Sequence, residues 1–221
     1  MSRIDRASVA NKQQCWRVLF RYAGGANAAK GTFPNAAQWS YAQDVSLIWP
    51  AWEVRLDDVT GHKVEPALYR EAMSRLVAAV HVITTRSDDG RAGFTATAVV
   101  SVSDSPPTLL VCLNRRVRSA PAFRKSGIFA VNMLSGDQQK VADSFGGRLD
   151  LSGERRFSVG HWHEGRLGAP CLTNALASFE CTLMEARTIA THDVLVGRVE
   201  AITLGPNVPG LAYLGRDYRV L

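Results

Sequence analysis

Read along its apolar positions, the chain changes character near Glu65. Upstream, no period of 2 or 3.6 is sustained, and Gly24-Gly25 and Lys30-Gly31-Thr32-Phe33-Pro34 read as loop. Downstream the pattern becomes regular. Pro66 suits a first helical turn, and Leu68, Ala72, Leu76 and Ala79 recur at helical spacing, with Arg70, Glu71 and Arg75 on other faces. Residues 80–85 form a β-branched strand, and Ser87-Asp88-Asp89-Gly90 is a hairpin turn signal. A single long strand is expected over 92–103, broken by Asp104-Ser105-Pro106-Pro107. The run 108–114 is apolar at consecutive positions, which predicts a central strand buried on both faces. A short helix over 120–125, a buried strand over 128–134 and a second helix over 137–145, closed by Gly146-Gly147, follow. Strands return at 177–185, 193–202 and 211–213. Strands with interspersed short helices, rather than alternating βα units, predict a mainly β protein: a β-barrel with helical decoration.

The texture divides the chain into residues 1–64, an extension without expected ordered elements or an assigned role, and residues 65–221, one barrel domain. The extension holds four of the five tryptophans, Trp16, Trp39, Trp49 and Trp52. We expect it to be dispensable, with Val59 or Val64 as an alternative start encoded by GTG. A genuine extension that covers the barrel or docks a partner is the competing expectation.

Charge and composition narrow the function classes. Net charge is +6, from 26 basic against 20 acidic residues, without a basic run or an aromatic-basic repeat, so nucleic acid is not an expected partner. A mild positive excess suits anionic small molecules. Cys15, Cys112, Cys171 and Cys181 include no C-x-x-C pair, and three lie in apolar stretches. They read as reduced thiols in a cytoplasmic protein. No apolar run reaches the roughly 20 residues of a membrane span, and no signal peptide follows the basic start. His161 and His163 lack further ligands, so no metal is expected. Residues 23–32 carry Ala-Lys-Gly-Thr in an order that does not make a phosphate loop.

The segment Gly93-Phe94-Thr95-Ala96-Thr97-Ala98-Val99-Val100-Ser101-Val102-Ser103 puts small and hydroxyl-bearing residues where bulky β-branched ones would pack better. Thr95, Thr97 and Ser101 alternate onto one face of a continuous strand. A flat aromatic ring edged with hydrogen-bonding atoms would fit that surface. A half-exposed strand using threonine for its β-propensity would give the same pattern, and the residues alone leave both readings open.

Residues 68–221 resemble the flavin reductase family of two-component monooxygenases, the FMN-binding split-barrel group. The matching blocks run in order: Tyr69-Arg70-Glu71-Ala72-Met73, Ala79-Val80-His81-Val82-Ile83-Thr84-Thr85, the Gly93 to Ser103 segment, Asp104 through Asn114, Phe129-Ala130-Val131-Asn132-Met133-Leu134, Glu154-Arg155-Arg156-Phe157, Thr191-His192 and Arg216-Asp217-Tyr218. The ordered set carries the resemblance. It is similar to the reductase component of 4-hydroxyphenylacetate hydroxylase, to the flavin reductase of pyrimidine monooxygenase and to cobalt corrinoid reductases.

The resemblance implies an antiparallel, homodimeric split barrel that passes hydride from NADH or NADPH to FMN, with FAD as a second candidate flavin. Reduced flavin would go to a partner monooxygenase. Thr95, Ala96, Thr97 and Val99 would line the isoalloxazine, Ser101 and Asn114 the ribityl chain, and Arg118 and Ser119 the phosphate. Phe145 would lie by the flavin or the nicotinamide. His192 would bind nicotinamide; relatives carry Gly-Asp-His or Gly-Thr-His where this chain has Ala190-Thr191-His192. Arg216 and Tyr218 fall in the tail, near the cofactor or in its packing. No catalytic acid, base or nucleophile is strictly required, because the two cofactors carry the chemistry. Flavin-dependent reduction of a corrinoid, or flavin or haem binding without turnover, are the alternatives.

Overall fold

The computed structural model describes residues 64–221. The expectations for the N-terminal extension, including Cys15, the four tryptophans and Val59, lie outside the described residues.

Helix α1 (Pro66–Ser74) opens the domain, followed by β1 (Ala78–Ala79), β2 (His81–Ser87), β3 (Gly90–Ala96), β4 (Val99–Asp104) and β5 (Pro107–Asn114). Helix α2 (Ala120–Ser126) leads into β6 (Ile128–Met133), and α3 (Gln139–Gly146) follows a short 3-10 turn at Gly136–Gln138. A 3-10 segment (Gly153–Ser158), the hairpin β7 (Trp162–Glu164) and β8 (Pro170–Leu172), the long hairpin β9 (Ala177–Ile189) and β10 (His192–Leu204), and a final pair β11 (Leu211–Leu214) and β12 (Asp217–Val220) complete the order.

Seven strands form one antiparallel sheet in the order β3-β2-β6-β9-β10-β5-β4. Its two edge strands, β3 and β4, are consecutive in sequence and separated only by Thr97-Ala98. A sheet whose edges are joined by two residues has to curl until they meet. The interior bears this out: Phe94 and Ala96 of β3 share one buried cluster with Leu109, Val111 and Leu113 of β5, and with Phe129, Val131, Cys181 and Leu195 between them. No ladder joins β3 to β4, so the barrel is split at that seam.

The outer face of the β2–β6–β9 region is covered by a second cluster, where Val80, Val82 and Leu134 meet Val141, Ala142 and Phe145 of α3, together with Phe157 and Leu172. Asn132 of β6 stitches this face. Its Nδ2 donates to Val82 O at 3.1 Å and Thr84 Oγ1 at 3.2 Å, and its Oδ1 accepts from Leu172 N at 2.8 Å and Ser178 Oγ at 2.9 Å. Every hydrogen-bonding position of that buried amide is used.

Three expectations need correction. The single strand over 92–103 is two strands, bent where Val99 N bonds back to Thr97 O and Cys112 N reaches Ala98 O. The strand at 108–114 is not buried on both faces; it lies one place from the edge and its burial alternates, with Leu110 and Cys112 half-buried. The first helix stops at Ser74, short of Leu76 and Ala79, and buries no residue: Leu68 and Tyr69 are 65% and 59% exposed. Its apolar spacing marks a surface stripe, not part of the core. The irregular stretch after α3 holds the 3-10 segment and the β7–β8 hairpin, which local periodicity did not reveal because each element is so short. Phe145 closes α3 just before Gly146, and Gly147 caps it in the left-handed region at φ 76°.

Candidate functional site

The bent strip between β3 and β4 brings Thr95, Ala96, Thr97, Val99 and Ser101 into succession, but not onto one face. Ala96 is buried, Thr97 and Ser101 are exposed, and Thr95 donates its hydroxyl to Ala142 O of α3 at 2.7 Å. The corner leaves Thr97 and Ala98 accessible beside a strand edge that has no neighbour. The corner carbonyls accept from Val99 N and Cys112 N, and the small side chains let a ligand approach the open edge.

Along β3 from this corner, Gly93 forms part of the wall of a cleft of about 670 Å³, which Arg116, Arg118, Ser119, Lys125 and Arg156 also line. Gly93 is required by packing: a Cβ there would stand 2.8 Å from Phe145 Cε1 and 2.9 Å from Ile83 O. Its carbonyl accepts from Ser119 Oγ at 3.3 Å and Arg156 Nη1 at 3.5 Å. Arg156 also donates to Leu151 O at 3.1 Å and Phe145 O at 3.4 Å. Its guanidinium is thus held among carbonyls, and among the described residues neither it nor Arg116 nor Arg118 has a carboxylate partner. Lys125, in contrast, is paired with Asp88 and Asp89. The cleft therefore carries surplus positive charge suited to a phosphate. Ser119 stands before α2 but makes no cap hydrogen bond, spending its hydroxyl on Gly93.

Arg156 was not among the expected site residues. The Glu154 to Phe157 block was visible in the sequence, but the three carbonyls that gather around its arginine come from separate segments. Arg91, nearby, is ion-paired to Glu154 and lies 4.5 Å over the Phe157 ring.

His192 opens β10 directly after the two-residue turn Ala190-Thr191. Ala190 adopts φ 49°, a left-handed conformation that glycine takes up more easily than alanine. Thr191 Oγ1 lies 2.9 Å from His192 Nδ1. Across the ladder His192 pairs with Asn114, and Arg115 N bonds Thr191 O at 3.0 Å. Asn114 Oδ1 accepts from Arg116 N at 2.9 Å, fixing the start of the loop that leads to Arg118 and Ser119. Two expected site residues far apart in sequence are therefore neighbours, and one of them shapes the approach to the cleft.

The remaining candidates sit elsewhere. Phe145 is 2% exposed, stacked edge-on against Phe157 at 4.9 Å and beside Trp162 at 5.3 Å; it backs Gly93 and does not open onto the cleft. Arg216 bonds Glu71 of α1 at 3.0 Å. Tyr218 packs edge-on against Tyr213 at 5.4 Å, with the Arg148 guanidinium 4.7 Å over its ring, and burial pushes its phenol up. Neither Arg216 nor Tyr218 lines the cleft. His163 Nδ1 lies 3.4 Å from Thr173 Oγ1, and no cluster of metal-ligating side chains occurs among the described residues.

Comparison with known proteins gives a consistent picture. The model of the flavin reductase like domain matches residues 73–221. The FMN reductase (NADH) RutF of Methylorubrum populi is 49% identical over 158 residues, which cover 72% of this chain and 77% of that protein. A candidate flavin reductase from Haemophilus somnus, of known crystal structure, superposes with a TM-score of 0.69 at 39% identity, covering 72% of this chain and all of the other. BorF, the flavin reductase component of a bacterial two-component tryptophan halogenase, superposes with a TM-score of 0.66 at 30% identity, covering 71% and 98%.

Proposed function

The chain belongs to the flavin reductase-like family, and from that premise we propose how its residues divide the work. It is an NADH-dependent flavin reductase, with FMN or FAD as its flavin, and it supplies reduced flavin to a partner monooxygenase. The likeness to FMN reductases (NADH) favours turnover over corrinoid reduction and over binding without turnover.

The observation that carries the assignment of residues is that one strand, β3, walls the cationic cleft at Gly93 and ends at the bare corner. Bound flavin supplies a hydride acceptor for NADH, and the protein's part is to hold both molecules in register, which removes much of the entropic cost of their encounter. Thr95, Ala96, Thr97 and Val99 cradle the ring, where small side chains at an unpaired strand edge fit a flat heterocycle. Ser101 and Asn114 serve the ribityl chain. Arg118 and Ser119, joined by Arg116 and Arg156, attract the phosphate. His192, beside Asn114, holds the nicotinamide. Phe145 keeps Gly93 and the cleft wall in place from behind, and Arg216 and Tyr218 brace the tail.

The working unit is a homodimer. Support comes from apolar side chains left bare on the single chain, among them Leu68 and Tyr69 of α1 and Val100 and Val102 of β4, each more than half exposed. The compartment is a reducing cytoplasm. Cys112, Cys171 and Cys181 are unpaired, and burial pushes the last two thiols up to about 12, which keeps them inert. No helix among the described residues is long and apolar enough to cross a membrane. Residues 65–221 carry the activity and residues 1–64 are dispensable for it.

Steady-state oxidation of NADH with added FMN tests this reading. The full chain and a variant beginning at Val64 are expected to turn over equally, with the rate dependent on flavin. Oxidation of NADH that ignores FMN would overturn the activity. A shortened variant that loses its flavin affinity would overturn the division of the chain.

A further inference from the structure

Asp193 is the residue after His192, and its side chain is 5% exposed. Its Oδ2 accepts from Arg124 Nε at 3.0 Å, and its Oδ1 accepts from Arg124 Nη2 at 2.8 Å and from Thr188 Oγ1 at 2.8 Å. The same guanidinium donates to Ala186 O at 3.3 Å and to Thr188 Oγ1 at 3.0 Å. Ala186, Thr188 and Asp193 form the stem of the β9–β10 hairpin, immediately below the turn that presents His192. Arg124 belongs to α2, whose Pro121, Ala122 and Lys125 line the cleft. One arginine thus joins the helix of the cleft wall to the hairpin of the histidine.

A hairpin stem needs no acid for its own stability. On β5 the cross-strand neighbour of Asp193 is Leu113, which is fully buried, so a carboxylate here is costly unless it is paired. A two-point guanidinium–carboxylate fork sets an angle as well as a distance. The hydrogen bond from Arg124 holds the Asp193 carboxyl below the usual carboxylate range, so the fork stays charged at neutral pH.

We propose that Asp193, gripped by Arg124, is a positioning residue that sets the orientation of His192 toward the cofactor cleft and thereby governs nicotinamide binding. This rests on the nicotinamide role given to His192 above. Asp193 does not touch the cofactors; it acts through the hairpin turn.

The test is a double-mutant cycle in the full chain, read as KM for NADH at saturating FMN, kcat and KM for FMN. His192→Ala is the reference, and Asp193→Asn is nearly isosteric. Asp193→Asn is expected to raise the NADH KM about tenfold, equivalent to about 1.4 kcal/mol, with the FMN KM unchanged. In the His192→Ala background it should add nothing further. Arg124→Gln should reproduce the Asp193→Asn effect, which guards against a folding defect in either variant. If His192→Ala raises the NADH KM but Asp193→Asn and Arg124→Gln do not, the role of His192 stands and the positioning proposal is overturned. If His192→Ala itself leaves the NADH KM unchanged, the assignment of His192 is overturned. Equal increases in both Michaelis constants, or full additivity with His192→Ala, would reduce the ion pair to a structural one.

Discussion

The outer face of β2, β6 and β9 and the face of β4 belong to one sheet, yet they are finished differently. Around Asn132 the sheet is covered by its own chain: α3 and the β7–β8 hairpin lie over it, and the buried amide satisfies four partners. On β4, Val100 and Val102 are each 54% exposed and nothing in the described chain covers them. Where the polypeptide supplies its own cover, polar groups are buried and matched. Where it does not, apolar side chains are left bare beside the corner assigned to the flavin. The first region fixes the fold; the second waits for other molecules.

The largest test of that contrast removes the stitch. Asn132→Leu leaves Leu172 N, Ser178 Oγ and Val82 O without their partner, and should cost about 4 kcal/mol in chemical denaturation. A loss below about 1 kcal/mol would mean that the cover holds by apolar packing alone.

His81 tests the contrast from the opposite direction. It lies on the same strand as Thr84, on the face of Ile83, and its buried Nδ1 has no partner among the described residues. Burial pushes its imidazole down from 6.5 to about 4, so the folded protein keeps it neutral while the unfolded chain takes up a proton. Stability from this group is complete above pH 6.5, declines as pH falls toward 4 and levels off below that. The decline should amount to about 3 kcal/mol. Thermal melts across that range should flatten in His81→Leu; an equally steep slope in the variant would assign the acid sensitivity to other groups.

The smallest effect on folding is expected on the bare face. Val100→Lys with Val102→Lys should change the stability of the single chain by less than about 1 kcal/mol. Sedimentation should nevertheless shift from dimer to monomer. An unchanged dimer would place the subunit contact elsewhere, with α1 as the next surface to test.

Local chemistry made much of the fold legible. Ser87-Asp88-Asp89-Gly90 closes a two-residue hairpin, with Ser87 opposite Gly90, and α2 starts where Pro121 indicated. The corner at Thr97-Ala98 was not legible, because composition does not change along 92–103. The bend combines a bond within the segment, Val99 N on Thr97 O, with one from outside it, Cys112 N on Ala98 O. The site shows the same division. The resemblance pointed to Asn114 and His192 separately, and only the β5–β10 register sets them side by side. Arg156 escaped notice because only the fold brings the Gly93 carbonyl of β3 to an arginine already held by Leu151 O and Phe145 O. Helical spacing in α1 was misleading, since an apolar stripe marks contact without saying whose.

The strand order has a consequence for how the ribosome delivers this chain. The β2–β3 and β4–β5 hairpins emerge first, already joined through the corner that closes the barrel. The β9–β10 hairpin that must sit between β6 and β5 comes only after residue 177. Until then β5 lacks its inner neighbour, and Leu109, Val111 and Leu113 have no finished interior to enter. Such long-range pairing is slow and leaves nascent chains open to aggregation. In the cell, the segment around β5 is therefore where a chaperone has most to protect, and slower translation between β6 and β9 would prolong that exposure rather than relieve it.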